Sequence, residues 1–183
     1  MKHLHLLPIG PVDMRLLEWL GQALYNKFRM PAEILLPPLD PAFALHAERQ
    51  QYHSSELLAC MQRSINFDTW RILGITQLDL YIPILTFVFG EAQLRGKAAV
   101  VSYHRLQQEF YGLPAQQDLL RERTVKEVLH ELGHTFGLTH CSDSKCAMSL
   151  ATHIELVDAK AEQYCARCGT QLVKRFASKE GKV

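Results

Sequence analysis

The feature that most constrains this chain is an eleven-residue segment at residues 130–140, which reads His-Glu-Leu-Gly-His-Thr-Phe-Gly-Leu-Thr-His. His130 and His134 stand four residues apart, so on a helix they lie on one face, one turn from each other. Their ring nitrogens can then converge on a single zinc ion at about 2.0–2.1 Å each. Glu131 lies roughly 100° round the helix from His130, beside such an ion rather than among its ligands. The segment therefore predicts a helix that carries two metal ligands and a neighbouring carboxylate.

The third histidine of the segment requires the helix to end. Six further helical residues would carry His140 roughly 9 Å beyond His134, at ~1.5 Å per residue. Gly137 permits a sharp turn, because glycine adopts a left-handed C-cap without a Cβ penalty. We therefore expect His130, His134 and His140 to bind one zinc ion and to leave its fourth position open, which is typical of catalytic sites.

This zinc site predicts hydrolysis of a peptide bond by an activated water, with Glu131 as the general base. The alternative is a chance His-Glu-x-x-His pattern on an amphipathic helix. The spacing of Gly137 and His140 argues against chance, since neither residue is needed for an ordinary helix.

Four cysteines follow the third histidine as a pair of pairs, which is the usual arrangement of a closed, tetrahedral structural zinc site. The alternative is disulfides. We expect no secretory segment before the domain, and therefore a reducing compartment in which thiolates hold metal. No βαβ pattern surrounds the second pair, which argues against a redox site. We expect two zinc ions per chain, one catalytic and one structural, the latter bound by Cys141, Cys146, Cys165 and Cys168.

Residues 130–140 have the form of the metzincin metallopeptidases. The cysteines that follow, with Met148 two residues after Cys146, resemble the archaemetzincin branch of that family. The resemblance covers residues 130–168 and implies a compact metzincin-like zincin fold with a zinc-dependent peptidase site. It also implies an added structural zinc, and a Met-turn in which Met148 packs beneath the histidines.

The order of apolar patterns predicts an α/β (α+β) chain with a mixed, twisted sheet. We expect one domain over residues 1–183, with an N-terminal lobe over 1–137 that includes the active-site helix. The expected C-terminal lobe, over 138–183, is small and α-helical and holds the Met-turn and the structural zinc. Helices are predicted over residues 12–28, 54–63, 114–136, 154–163 and 166–176, and strands over 2–8, 32–36, 71–76, 84–89 and 98–102.

Composition restricts the expected partners. The chain has 183 residues, 48% of them hydrophobic, which fits one globular domain with a substantial core. A net charge of +1 gives no electrostatic case for a nucleic-acid partner. The longest apolar stretch is too short to cross a bilayer, and residues 1–10 are too polar for a signal segment. We expect a cytoplasmic protein that acts on peptides or proteins, without a nucleic-acid or membrane partner.

Finer expectations concern the substrate. A peptide could add as a strand to an exposed sheet edge near residues 89–93, where Glu91 would meet the substrate N-terminus in an aminopeptidase-like reaction. Tyr164 and His153 are candidate helpers for the oxyanion, although a core or surface role is commoner for each. The rival hypothesis is a zinc-stabilised peptide-binding or interaction protein with a weak or vestigial peptidase site. Glu131 would have no structural role in such a protein.

The remaining histidines lack the spacing of metal ligands, and we expect surface or core roles for them. One cysteine lies in an apolar helical setting and is expected to be a buried thiol. These residues are His3, His5, His46, His53 and His104, and Cys60.

Overall fold

The first strand, β1 (His3–Ile9), sets the layering of the molecule because both of its faces are covered. Leu4 and Leu6 point into the larger core, whereas Leu7 and Ile9 on the opposite face belong to a second, smaller core. A strand covered on both sides is typical of a parallel sheet sandwiched between helices. The structure is a computed structural model and describes residues 2–180, with side chains as far as residue 176.

The remaining elements are a mixture of helices and strands as far as residue 102 and are then helical. They are α1 (Met14–Phe28), β2 (Ala32–Ile34), β3 (Leu45–His46), β4 (Gln51–His53), α2 (Ser54–Met61), β5 (Thr69–Thr76), β6 (Leu80–Tyr81), β7 (Gly90–Ala92), β8 (Ala98–Ser102), α3 (Gln117–Thr135), α4 (Ile154–Ala159) and α5 (Ala166–Glu180).

The main sheet has five strands in the order β2-β1-β5-β8-β7. All neighbouring pairs are parallel except β7 and β8, which are antiparallel, with Glu91 opposite Val100. Strand β7 therefore forms one edge of the sheet, beside helix α3. Strands β3, β4 and β6, which the sequence did not predict, form a second sheet of three short strands.

The predicted strand over residues 84–89 is wrong. Ile84 is 86% exposed, and the carbonyls of Leu85 and Thr86 accept hydrogen bonds from Arg49 at 3.0 and 2.9 Å instead of joining a ladder. The apolar residues of this segment thus form a loop, and the edge strand begins after them at Gly90.

Several helix boundaries also differ from the prediction, those of α3 and α4 among them. Helix α3 begins at Gln117 rather than at Pro114, because Gln116 still has extended backbone angles. Helix α4 ends at Ala159 instead of continuing to residue 163. The helix stops because the next residue, Lys160, leaves the helical conformation and turns its ammonium into the core.

The C-terminal elements pack on the same core as the sheet. Phe176 on α5 packs against Trp70 and Phe136. Its ring centroid lies 5.8 Å from that of Trp70 and 4.9 Å from that of Phe136. Arg123 on α3 makes a two-pronged contact to Asp158 on α4, both N···O distances being 2.7 Å. In residues 2–180, no helix is long and apolar enough to cross a membrane.

Candidate active site

Helix α3 ends in a hydrogen-bonded turn that brings the third histidine back. The Gly137 amide donates to the His134 carbonyl at 2.7 Å, and the Leu138 amide donates to the Gly133 carbonyl at 2.9 Å. This is a Schellman motif, which needs a left-handed residue, and Gly137 has a φ of +89°. A Cβ on Gly137 would also lie 1.9 Å from Arg175 Nη1 and 2.8 Å from Arg95 Cγ, so both of these side chains would have to move.

The three predicted imidazoles come together. The donor nitrogens of His130, His134 and His140 lie within 4.8 Å of one another. His130 Nδ1 lies 2.9 Å from the Ala147 carbonyl, and His134 Nδ1 lies 2.8 Å from the Leu138 carbonyl. A carbonyl can only accept, so both Nδ1 atoms carry the proton, and this fixes the tautomer and the orientation of the rings.

The geometry of the two helical histidines fits a bound cation. Their Nε2 atoms lie 3.1 Å apart, and in the neutral rings both carry lone pairs. Burial lowers the pKa of His130 well below its usual value and lowers those of His134 and His140, so the neutral form is favoured. Lone pairs that face each other at this distance repel unless a cation lies between them. Neutral imidazole is also the form that ligates metal.

Glu131 lies beside these rings, on the wall of a cavity of about 550 Å³ that all three histidines also line. Its side chain is almost fully buried. Burial first, and the neighbouring Glu127 carboxylate second, raise the pKa of Glu131 well above its usual range. The cavity wall opposite is largely apolar and includes Phe87, Phe89 and Leu150. A carboxylate, a metal-competent tripod and a peptide-sized cavity therefore adjoin one another.

A buried ion pair behind Glu131 was not predicted from the sequence. Lys160 Nζ contacts Glu127 Oε1 at 2.7 Å, and the two side chains are 0% and 4% exposed. Glu127 lies one turn before Glu131 on α3 and lines the same cavity. The only available signal was that Glu127 stands four residues from Glu131 on a predicted helix.

Met148, for which the metzincin resemblance implies a place beneath the histidines, contacts the active-site helix at Gly133. It is fully buried, and a Cβ built on Gly133 would lie 2.2 Å from its sulfur. Gly133 sits between His130 and His134 on α3, so the methionine reaches the helix backbone where a side chain is missing. Sequence analysis did not single out Gly133, although a glycine inside a helix costs about 1 kcal/mol relative to alanine and so calls for a reason.

The four cysteines also come together, with all their sulfurs within 4.8 Å of one another. The sulfurs of Cys141 and Cys165 are 3.8 Å apart, which excludes a disulfide of about 2.05 Å. The observed distance matches the roughly 3.8 Å expected between two sulfurs bound to one tetrahedral zinc ion with Zn–S bonds of about 2.3 Å. A backbone hydrogen bond from Asp143, together with Arg167, lowers the pKa of Cys141 to about 7, whereas burial raises the pKa of Cys146 and that of Cys168 in the metal-free cluster. This donor set fits a thiolate-bound metal.

The edge strand β7 lines the cavity, with Gly90 and Glu91 in its wall. A Cβ on Gly90 would lie 2.7 Å from Glu131 Cγ, so this glycine lets the edge strand approach the carboxylate. The Glu91 carboxylate accepts hydrogen bonds from the hydroxyls of Ser54 and Ser55. These residues hold Glu91 in one position at the rim of the site, a pairing that was not predicted.

Both candidate oxyanion helpers lie outside the cavity. The Tyr164 hydroxyl donates to the Leu129 carbonyl at 2.7 Å, and burial raises the pKa of Tyr164. His153 is exposed, precedes α4 and contacts Thr152. Neither residue lines the cavity wall. Their roles in the structure are those of a core and a surface residue.

Of the residues for which no site was expected, Cys60 is half-buried rather than buried. His3 and His5, for which we expected no ligand role, lie beside Glu33 with donor atoms within 4.8 Å of one another. Strand alternation places residues two apart on one face, so the i, i+2 spacing of these histidines was the signal that sequence analysis did not use.

Comparisons with known proteins agree with this geometry. The family model of peptidase family M54 matches residues 19–175. The chain is 40% identical over 169 residues to the archaemetzincin of Methanocaldococcus jannaschii. The alignment covers 92% of this chain and 91% of that protein. The chain also resembles two crystal structures, an archaemetzincin from Archaeoglobus fulgidus complexed with malonate and a zinc-dependent peptidase from Methanocorpusculum labreanum.

The first crystal structure has a TM-score of 0.80 at 35% identity, covering 93% of this chain and 99% of that one. The second has a TM-score of 0.83 at 30% identity, covering 92% and 99%. These matches confirm the expected mixed α/β metzincin-like fold. The chain therefore belongs to peptidase family M54, the archaemetzincins, and is a zinc metallopeptidase.

Proposed function

We propose that the chain hydrolyses peptide bonds at a zinc ion held by His130, His134 and His140, with Glu131 as the general base. One observation carries the proposal: two Nε2 lone pairs held 3.1 Å apart by their carbonyl-bound rings, next to a carboxylate on the same cavity wall. A zinc ion bound there would lower the pKa of a water toward ~7 and polarise the scissile carbonyl.

The protein groups supply the remaining chemistry. Glu131 takes a proton from the attacking water and passes it to the leaving amine. Its side chain is positioned for both transfers because it borders the cavity and packs against the edge strand at Gly90. The apolar wall at Phe87 and Phe89 keeps bulk water from the reacting groups, which strengthens the electrostatic contacts inside.

The test is Glu131→Gln, which keeps the size of the side chain but cannot accept the proton. Wild type should cleave a broad peptide library in a chelator-sensitive manner, whereas the variant should retain its zinc and lose turnover by at least about 100-fold. Glu18→Gln, at an exposed position on α1, is the matched control and should leave both the zinc content and the turnover unchanged. Cleavage by Glu131→Gln at close to the wild-type rate would remove the proposed base.

We propose a second zinc ion at Cys141, Cys146, Cys165 and Cys168, which gives two tightly held ions per chain. The spacing of the sulfurs supports it, and so does the position of Cys141 directly after His140, where a closed site would fix the end of the active-site turn. Cys165→Ser should lose one zinc in elemental analysis and should unfold more easily, because structural zinc contributes folding energy. Cys60→Ser should keep both ions, and an equal zinc content in the two variants would contradict the second site.

The substrate is proposed to be a peptide that adds as a strand along β7, with its free amino group at Glu91. The exposed edge of β7 supports this mode, and the hydroxyls of Ser54 and Ser55 hold the carboxylate in place. Free peptides should then be cleaved faster than their N-acetylated forms, and Glu91→Gln should abolish the difference. Equal rates for both peptide forms would exclude aminopeptidase specificity and leave the hydrolase itself intact.

A rival function is a zinc-stabilised peptide-binding protein with a vestigial site. It predicts that wild type and Glu131→Gln bind peptides equally and that neither cleaves them. The complete set of Glu131 and three histidines favours catalysis.

We further propose that residues 1–137 and 138–183 act as two lobes of one domain, with peptides or proteins as the only partners. A cytoplasmic location is supported by thiols that are all unpaired in the described part of the chain.

A further inference from the structure

A third cluster of ligand-type side chains lies at the end of the sheet where β1 begins. His3 and His5 share one face of β1, and β2 pairs with it so that Glu33 stands opposite His5. Glu33 Oε2 lies 3.1 Å from His3 Nδ1 and 3.8 Å from His5 Nε2. Asp68, immediately before β5, places its Oδ1 3.9 Å from the same His5 nitrogen. None of these residues lines the catalytic cavity.

The hydrogen bonds around Thr69 fix the tautomer of His5. The Thr69 amide donates to Asn66 Oδ1, so that amide atom is an acceptor, and the Thr69 hydroxyl donates its single proton to the same oxygen at 2.7 Å. The hydroxyl must therefore accept from His5 Nδ1, which lies 3.2 Å away. Neutral His5 thus carries its proton on Nδ1 and turns the lone pair of Nε2 toward two carboxylates.

A protonated His5 would not be close enough to hydrogen-bond with either the Glu33 or the Asp68 carboxylate. A proton on His5 Nε2 would not form hydrogen bonds, because 3.8 and 3.9 Å exceed hydrogen-bond length. Within residues 2–180, Asp68 Oδ1 is one of two buried side-chain polar atoms without a hydrogen-bond partner. Buried carboxylate oxygens are normally paired or bound to metal.

The observed spacings suit ligands that share one metal ion. Donors bound to zinc at about 2.0–2.2 Å lie roughly 3.4 Å apart in a tetrahedral site. The two measured gaps within this group, 3.1 and 3.8 Å, bracket this value, and the donor atoms of His3, His5 and Glu33 all lie within 4.8 Å of one another. His5 is only 2% exposed, whereas His3 and Glu33 reach solvent, so an ion has both a rigid ligand and a route of entry.

We propose that His3, His5 and Glu33 form a third divalent-metal site beside the buried Asp68 carboxylate, with zinc as the cation that two imidazoles and a carboxylate suit best. The site joins β1 to β2, so a bound ion would hold the edge strand β2 of the main sheet to its neighbour. It is independent of the peptidase function. An ion bound at this site exchanges with solvent more readily than the ions at the two tight sites. The site therefore fills when the concentration of free zinc is increased.

The experiment titrates tag-free protein, already loaded at its tight sites, with zinc in equilibrium dialysis and counts bound metal by elemental analysis. The test variant is His3→Gln with Glu33→Gln, which removes two accessible ligands and spares buried His5. The matched control is His46→Gln with Glu48→Gln, an exposed histidine and glutamate with no such cluster. Wild type and control should bind one more zinc than the test variant in the micromolar range.

The test variant should bind this ion at least about 100-fold more weakly, since loss of even a supporting partner of a metal ligand costs about 10–100-fold. Asp68→Asn, which keeps the shape of the side chain, should weaken binding as well. Zinc should also slow amide hydrogen exchange at Ala32–Ile34 in wild type and control but not in the test variant. Equal zinc uptake and equal exchange in all proteins, or uptake that requires millimolar zinc, would overturn the proposal.

Discussion

Gly133→Ala offers a direct measure of how closely Met148 supports the active-site helix. The new Cβ would lie 2.2 Å from Met148 Sδ and 3.3 Å from Tyr164 Cε1, against about 3.5–4.0 Å for ordinary contact. The sulfur must retreat by more than an ångström from a fully buried position, and overpacking of this kind costs about 1–3 kcal/mol. The gain in helix propensity, about 1 kcal/mol, works in the opposite direction.

Removing the methionine should reverse the sign of that substitution. In a Met148→Ala background, which itself costs about 2–5 kcal/mol, the obstacle is gone and Gly133→Ala should stabilise by about 1 kcal/mol. The coupling energy between the two positions is then about 1–3 kcal/mol. Gly169→Ala on α5, where nothing lies within 4 Å of the new Cβ, is the matched control and should be stabilising on its own.

The assay is urea unfolding of the four cycle members and the control at one fixed free zinc concentration, because bound zinc contributes to the unfolding free energy. If Gly133→Ala stabilises wild type as much as Gly169→Ala does, and shows no coupling to Met148→Ala, the inferred support of the helix by Met148 is wrong.

Two further substitutions test the surroundings of the tripod. Gly137→Ala should lose zinc at the histidine site because its Cβ meets Arg95 Cγ as well as the Arg175 guanidinium, whereas Gly112→Ala, also at positive φ but with open space around it, should keep its zinc; equal zinc content in both would refute the role of the turn. Lys160→Met should lower the unfolding free energy by about 3–5 kcal/mol because it leaves a charge buried without its partner. Adding Glu127→Gln should recover most of that loss in urea unfolding, and no recovery would show that the ion pair is not the cause.

The sequence predicted the site better than its surroundings, for a physical reason. Predicted ligands such as His130 and His134 stand at a spacing typical of one local geometry, and Gly137 supplies the left-handed turn after the helix. The cavity wall at residues 84–89 was misread as a strand because apolar residues that line a cavity resemble apolar residues that fill a core.

Contacts between distant segments were missed altogether. The approach of Met148 to Gly133 and the burial of Lys160 against Glu127 depend on how the C-terminal segments pack on α3. No local spacing encodes that packing. The pairing of His5 with Glu33 likewise arises only when two strands align in register.

The central claim is an open zinc tripod beside a carboxylate, and zinc-edge anomalous diffraction from crystals of the wild-type protein tests it most directly. A strong peak should lie about 2.0–2.1 Å from the Nε2 atoms of His130 and His134 and from a nitrogen of His140, with a fourth position free of protein atoms. The absence of that peak, or a fourth protein ligand that closes the site, would contradict the account.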